Sequence, residues 1–291
     1  MKSKFEEKTY ESYFNNELDR KSQIYFPPGQ VLEGSLGFDA SSLSKNRGLW
    51  RNLGHPFWFR PDFEGVPLRS IADEMEYYLD RELDNIPAMK ANILFQYKRP
   101  EFISSTLGKE WVHWNQPYFR YDIYKEQQDL LSHIHNKFKS EVLVVYASPC
   151  THDMNELVKK RKDIIKNSNF AKAVDLDGHH RNTYIRSGTH SIACSEPSSI
   201  QSLNIIETIN ELGNREFDHR FGEARRSSNR DFLIDFSSEI QMLVNEYKYL
   251  SESFKSLNIE AEKVKDYELL YSMCVMSNFR QLTETQWVVK V

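Results

Sequence analysis

Apolar positions along this chain alternate between helical spacing and unbroken runs, and each change marks an element. Residues 8 to 25 carry Tyr10, Tyr13, Phe14 and Leu18 at intervals of one helical turn, then stop before Pro27-Pro28-Gly29, which predicts a helix. Gln30 to Leu36 reads as a short helix or turn bearing Glu33, and Phe38 to Leu43 as a strand entered through Gly37. Arg69 to Leu83 places Ile71, Met75, Tyr78, Leu79 and Leu83 on one helical face. Ala91 to Tyr97 and Val142 to Ala147 are mostly apolar runs, the second apolar on both faces, as in a sheet covered on both sides. Between them Tyr121 to Phe138 reads as a helix, residues 156 to 175 as another, and Tyr184 to Ser195 as a hairpin turning at Ser187-Gly188. From Ile200 the pattern is mainly helical. Ile234, Ile240, Leu243, Val244, Tyr247, Leu250, Phe254 and Leu257 form a stripe that would run roughly 35 Å along one helix at about 1.5 Å per residue.

Strands alternating with helices imply an α/β core, followed by a mainly helical C-terminal region. The expected division is a core over residues 1–199, with an insertion at about 45–88, and a helical region over 200–291 that serves dimerisation or partner binding. An apolar content of 40% with 13% aromatics suffices for a sizeable core. No run of eighteen apolar residues is present, and residues 1 to 8 lack the apolar stretch of a signal peptide, so a cytoplasmic protein with no membrane partner is expected. Three separated cysteines (Cys150, Cys194, Cys274) without a C-x-x-C pair point to free thiols. The net charge of −4 restricts any nucleic-acid groove to a local feature.

The candidate chemistry lies in two short segments. Glu33 and Asp39 bracket a glycine turn in Glu33-Gly-Ser-Leu-Gly-Phe-Asp39. Gln96 and Lys98, two apart at the end of an apolar strand, share one strand face in Phe95-Gln96-Tyr97-Lys98-Arg99-Pro100. An acid on a helix, an acid at a strand start and a polar-x-Lys pair on the next strand can together hold a divalent metal beside a phosphodiester. Mg²⁺ takes hard oxygen ligands, commonly one or two carboxylates with substrate phosphate. It then polarises the phosphate and acidifies the attacking water.

On these residues the chain resembles the restriction-endonuclease-like, or PD-(D/E)xK, nuclease superfamily, in the variant whose last motif reads Q-x-K. The resemblance covers roughly residues 20 to 150. It implies a mixed sheet flanked by helices and Mg²⁺- or Mn²⁺-dependent cleavage of DNA, with RNA the alternative substrate. It further implies Asp39, Gln96 and Glu33 as metal ligands and Lys98 as the group that orients or deprotonates water. A bacterial anti-phage defence setting, as a homodimer or as a subunit of a defence complex, suits such nucleases. Some relatives carry a Gln on the following helix that contacts the site, which here designates Gln127 in Gln127-Gln128; no tyrosine follows either Gln by four residues.

Arg99 and the run Lys159-Lys160-Arg161-Lys162 are the candidates for nucleic-acid contact. Arg215, Arg220, Arg225, Arg226 and Arg230 are interleaved with acids and read as solvated helix faces. Trp50, Trp58, Trp111, Trp114, Tyr118 and Phe119 read first as packing and only second as a surface for stacking bases. The rival to a nuclease is a nuclease-like subunit that no longer cuts and acts in binding or assembly, favoured by Gln96 in place of an acid and by the acidic net charge. A histidine-bound metal drawing on His179, His180 or His190, or on Cys150 with His152, is a fainter alternative, since those spacings match no standard zinc pattern.

Overall fold

The computed structural model describes residues 1–27, 68–214 and 228–291. Glu33, Asp39, the strand expected over residues 38–43, Trp50, Trp58 and Arg215, Arg220, Arg225 and Arg226 lie outside the described residues. The chain is α/β and divides into two compact units: Met1–Tyr25 with Lys90–Phe217 and Val288–Lys290, and Phe26–Met89 with Asp218–Trp287 and Val291. The units are thus interleaved along the chain, whereas the division expected at 199/200 is consecutive.

The first unit opens with α1 (Glu7–Lys21) and β1 (Ile24–Tyr25), and continues with β2 (Ala91–Tyr97), β3 (Glu101–Ile103) and β4 (Tyr118–Asp122). One five-stranded mixed sheet runs in the order β1, β10 (Thr285–Lys290), β2, β5 (Val142–Pro149), β6 (Ser168–Lys172). Strands β2 and β5 are parallel, with Gln96 opposite Tyr146, and β6 returns antiparallel. Every residue of β2 and β5 is buried, as expected of strands covered on both faces. On one face Phe14 of α1 meets Phe95, Tyr97 and Phe170 at ring separations of 5.2, 5.4 and 5.9 Å. Tyr10, Phe14 and Leu18 are fully buried, which accounts for the helical spacing read in the sequence. Buried Glu17 ties α1 down by accepting from the Ile165 amide at 2.9 Å and pairing with Lys21.

A second, antiparallel sheet of five strands was not expected. Its order is β3, β4, β7 (Arg181–Tyr184), β8 (Ser191–Cys194), β9 (Ser198–Ile200). A hairpin lies within it, starting earlier than expected: its strands are β7 and β8, so Tyr184 ends the first strand instead of opening it, and Gly188 in the connection has φ 68°, a left-handed turn conformation that suits glycine. The helix expected over 121–138 is shorter: Tyr118 to Asp122 form β4, and α3 runs Lys125–Phe138. Alternation of Phe119 and Tyr121 against Arg120 is a strand period, hidden in the sequence by the helical pattern that follows. Likewise the helix expected over 156–175 ends early, as α4 (Met154–Lys160), and residues 168–172 become an edge strand on β5. The unit's last helix, α5 (Ile205–Asn214), follows β9.

The second unit is helical: α2 (Ala72–Asp84), α6 (Asn229–Glu246), α7 (Lys248–Asn258) and α8 (Glu268–Thr283). The long stripe is not one helix. It breaks at Tyr247, whose φ −94° and ψ 100° are extended, and Leu243 and Val244 are fully buried within the described fold. Two of the helix ends are closed by side chains of other helices. Asn229 Nδ2 donates to the Leu83 and Ile86 carbonyls at 3.0 Å each, while its Oδ1 accepts from the Met89 amide at 3.0 Å. Glu76 accepts the Leu269 and Leu270 amides of the first turn of α8 and is clamped by Arg230 at 2.6 Å. Arg230, expected as a solvated residue, is thus part of the helical scaffold. Among the described residues no helix is long and apolar enough to cross a membrane.

Candidate functional site

Strand polarity fixes where Gln96 and Lys98 can act. The residues of β2 that alternate with Phe95 and Tyr97 leave the face covered by α1 and turn to the opposite face. Gln96 and, one step past the strand, Lys98 are therefore delivered to the C-terminal end of a parallel strand pair. Crevices outside such strand ends are the usual ligand positions of α/β sheets.

There the two residues meet Gln127 in the first turn of α3. Gln127 Nε2 donates to Gln96 Oε1 at 2.9 Å, and Lys98 Nζ donates to Gln127 Oε1 at 3.3 Å. One amide thus bridges the Q-x-K pair, using its oxygen and its nitrogen at once. The side chain of Gln96 is fully buried, and Lys98 is 7% exposed. The backbone of Lys98 is pinned as well: its amide donates to the Ala147 carbonyl at 2.9 Å, and Ser148 Oγ donates to its carbonyl at 2.9 Å.

Two tyrosines that the sequence did not single out complete the surroundings. The Lys98 ammonium lies 5.3 Å from the ring centre of Tyr124 and 5.7 Å from that of Tyr146, within cation–π range of both. Tyr146 stands beside Gln96 in the β2–β5 register and stacks on Tyr121 at 6.0 Å. Burial holds the Tyr146 hydroxyl well above the ordinary phenol range, so it stays protonated. Tyr124 differs in being 67% exposed. Its place three residues before Gln127 was visible in the sequence; the approach of Tyr146 depends on strand register and was not.

The other candidates fall elsewhere. Arg99 is exposed but engaged: its guanidinium pairs with Glu6 at 3.1 Å, and its amide donates to Glu7 at 3.1 Å. Among the described residues no carboxylate pairs with Lys159, Lys160 or Lys162, which follow β5 on the connection leaving the sheet at the Lys98 end. Arg161 folds back onto the Val158 carbonyl at 3.2 Å. His180 contacts Ser195 Oγ at 2.7 Å, His179 contacts Ser198 Oγ at 3.1 Å, and His152 stacks on Phe102 at 4.5 Å. Among the described residues no group of three or more His, Cys, Asp or Glu side chains could hold a metal ion. Burial pushes the Cys150 thiol up to about 12, and such a thiol is unreactive at neutral pH.

A second charged cluster lies on the antiparallel sheet. Buried Glu110 accepts from Arg181 at 2.7 Å, Tyr118 at 2.8 Å and Arg120 at 3.2 Å. Burial alone would raise its pKa; the bonds from Arg181, Tyr118 and Arg120 outweigh that and bring it down to about 2. Arg120 and Arg181 also hold Glu101 and Asp122. An open cleft of about 370 Å³ beside this cluster is lined by Leu107, Lys109, Arg120 and Arg181 among others, and by none of the Q-x-K residues. Arg120, Arg181 and Glu110 are paired with one another and with Glu101 and Asp122, which is the arrangement of a structural network.

Comparison with protein-family models, with curated proteins and with solved structures found no match.

Proposed function

We propose that the chain is a restriction-endonuclease-like nuclease that hydrolyses phosphodiester bonds in DNA with the aid of Mg²⁺ or Mn²⁺. The observation that carries this reading is the bridge from Gln96 through Gln127 to Lys98 at the end of β2. A solvated strand end would not bury a glutamine and a lysine together and then supply a helix glutamine to bind both. Gln96 Oε1 is a hard oxygen donor that the described residues offer such a metal; the resemblance implies Asp39 and Glu33 as the carboxylates, and both lie outside the described residues. When bound, the metal would polarise the phosphate and acidify water. Gln127 fixes the Gln96 amide by donating to its oxygen, so that oxygen is held in one orientation. Lys98, held between two tyrosine rings, carries a positive charge at a fixed point where it can face a nonbridging oxygen or the attacking water. A cytoplasmic place in a bacterial defence system belongs to the same proposal and rests on the resemblance.

The second reading is an assembly subunit that keeps the nuclease architecture without cutting. Gln96 favours it, because an amide in place of an acid removes one negative charge from the expected metal site. The two are separated by incubating plasmid and single-stranded DNA with the full chain and Mg²⁺, Mn²⁺ or EDTA. The nuclease reading expects metal-dependent cutting that Asp39→Ala abolishes and Lys98→Ala lowers by several orders of magnitude while the variant still folds, a loss far beyond what its change in stability explains. Absence of cutting by the wild type with either metal overturns it in favour of the assembly subunit.

A further inference from the structure

We propose that Tyr124 is a stacking platform for an unpaired base, and that the preferred ligand of the Lys98 site is therefore single-stranded DNA. This rests on the nuclease reading for the identity of the site and adds the form of the strand it takes. Tyr124 is a large aromatic residue left 67% exposed, with the ammonium of the buried Lys98 5.3 Å from its ring centre. The ring meets the Lys98 ammonium, and although Tyr124 precedes α3 its side chain makes no capping bond to the helix. Its neighbours in the first turn, Lys125 and Glu126, are both exposed and cancel in charge.

Electrostatics explain why a ring is needed. Phosphate neutralisation normally supplies most of the affinity for nucleic acid. This chain has a net charge of −4, and Arg99, which follows Lys98, is paired with Glu6. Beyond the attraction that Lys98 and the run Lys159, Lys160 and Lys162 can offer phosphate, contact with the base itself adds affinity, and stacking on an aromatic side chain does so for any base. Bases inside a duplex are already stacked and paired, so only an unpaired base can present a face to Tyr124. The ring and the ammonium together match one nucleotide: a base on Tyr124 and its phosphate at Lys98.

The test measures fluorescence anisotropy of the full chain in EDTA with a labelled oligothymidine strand and with a labelled duplex of equal length. Wild type, Tyr124→Ala and Tyr124→Phe are compared, alongside cutting of both substrates in Mg²⁺. Tyr124→Ala should weaken single-strand binding about tenfold or more, and Tyr124→Phe should stay within about twofold of wild type, because stacking needs the ring and not the hydroxyl. Binding of the duplex should be weaker and indifferent to both changes. Equal single-strand affinity of wild type and Tyr124→Ala overturns the platform, as does a parallel loss on both substrates, even if wild type cuts. Ring-dependent single-strand binding without cutting supports the platform and removes the nuclease reading. A wild type that binds neither substrate overturns both.

Discussion

Replacing Glu110 with Gln keeps the side chain's shape and removes the one charge that the buried network converges on. Glu110 is 5% exposed and accepts from Arg181, Tyr118 and Arg120. Its pKa falls from 4.5 to about 2, which corresponds to at most about 3.5 kcal/mol at roughly 1.4 kcal/mol per unit. Solvent reaches the rim, where the Asp122 side chain is 55% exposed, and screening reduces this to about 1–2 kcal/mol. Arg120 and Arg181 keep Glu101 and Asp122 in the variant, so the network should weaken and not collapse. A carboxylate with a depressed folded pKa contributes stability that is fully present above its unfolded pKa and is lost as pH falls through the folded value. Urea unfolding of both proteins, followed by circular dichroism from pH 7 to pH 2, should therefore show a steady gap of about 1–2 kcal/mol above pH 5. The gap should narrow between pH 4.5 and 2; carboxylates common to both proteins cancel in the difference. A gap near zero at pH 7, or one that does not change with pH, refutes the assignment of Glu110 as the charged hub.

Gln127→Ala removes the donor to Gln96 Oε1 and the acceptor of Lys98 Nζ, so melting should show a loss of about 1 kcal/mol. Cutting should fall further than that loss of stability explains; a variant that cuts like wild type would make the bridge ornamental. Asn229→Ala deletes the two bonds closing α2 and the one held by Met89, and should cost about 2 kcal/mol in urea unfolding. Asn229→Asp, which keeps the acceptor for the Met89 amide but turns a carboxylate oxygen onto the Leu83 and Ile86 carbonyls, should be no more stable than Asn229→Ala at neutral pH; equality of both variants with wild type would remove Asn229 from the helix closure.

Sequence alone determined the elements whose pattern is local. Tyr10, Phe14 and Leu18 repeat at one helical turn because a single helix face meets the sheet, and the runs 91–97 and 142–147 are apolar because both faces of β2 and β5 are covered. The same locality placed Gln96 and Lys98 on one strand face, and put Gln127 on the next helix. Tertiary structure decided what those residues touch. The bridge by Gln127 needs α3 to dock against the end of β2, and the approach of Tyr146 to Lys98 needs the parallel register of β2 and β5. The antiparallel sheet and the edge strand β6 were missed for the same reason. Short strands such as β3 and β9 have too few residues to show a period, and they exist through hydrogen bonds to partners far away in the chain. The break at Tyr247 follows the same rule: the apolar stripe continues across it, so only packing within the helical unit turned one expected helix into two. Hydrophobic spacing is a property of neighbours in sequence, whereas register, docking and the bonds of a site are properties of segments brought together by folding.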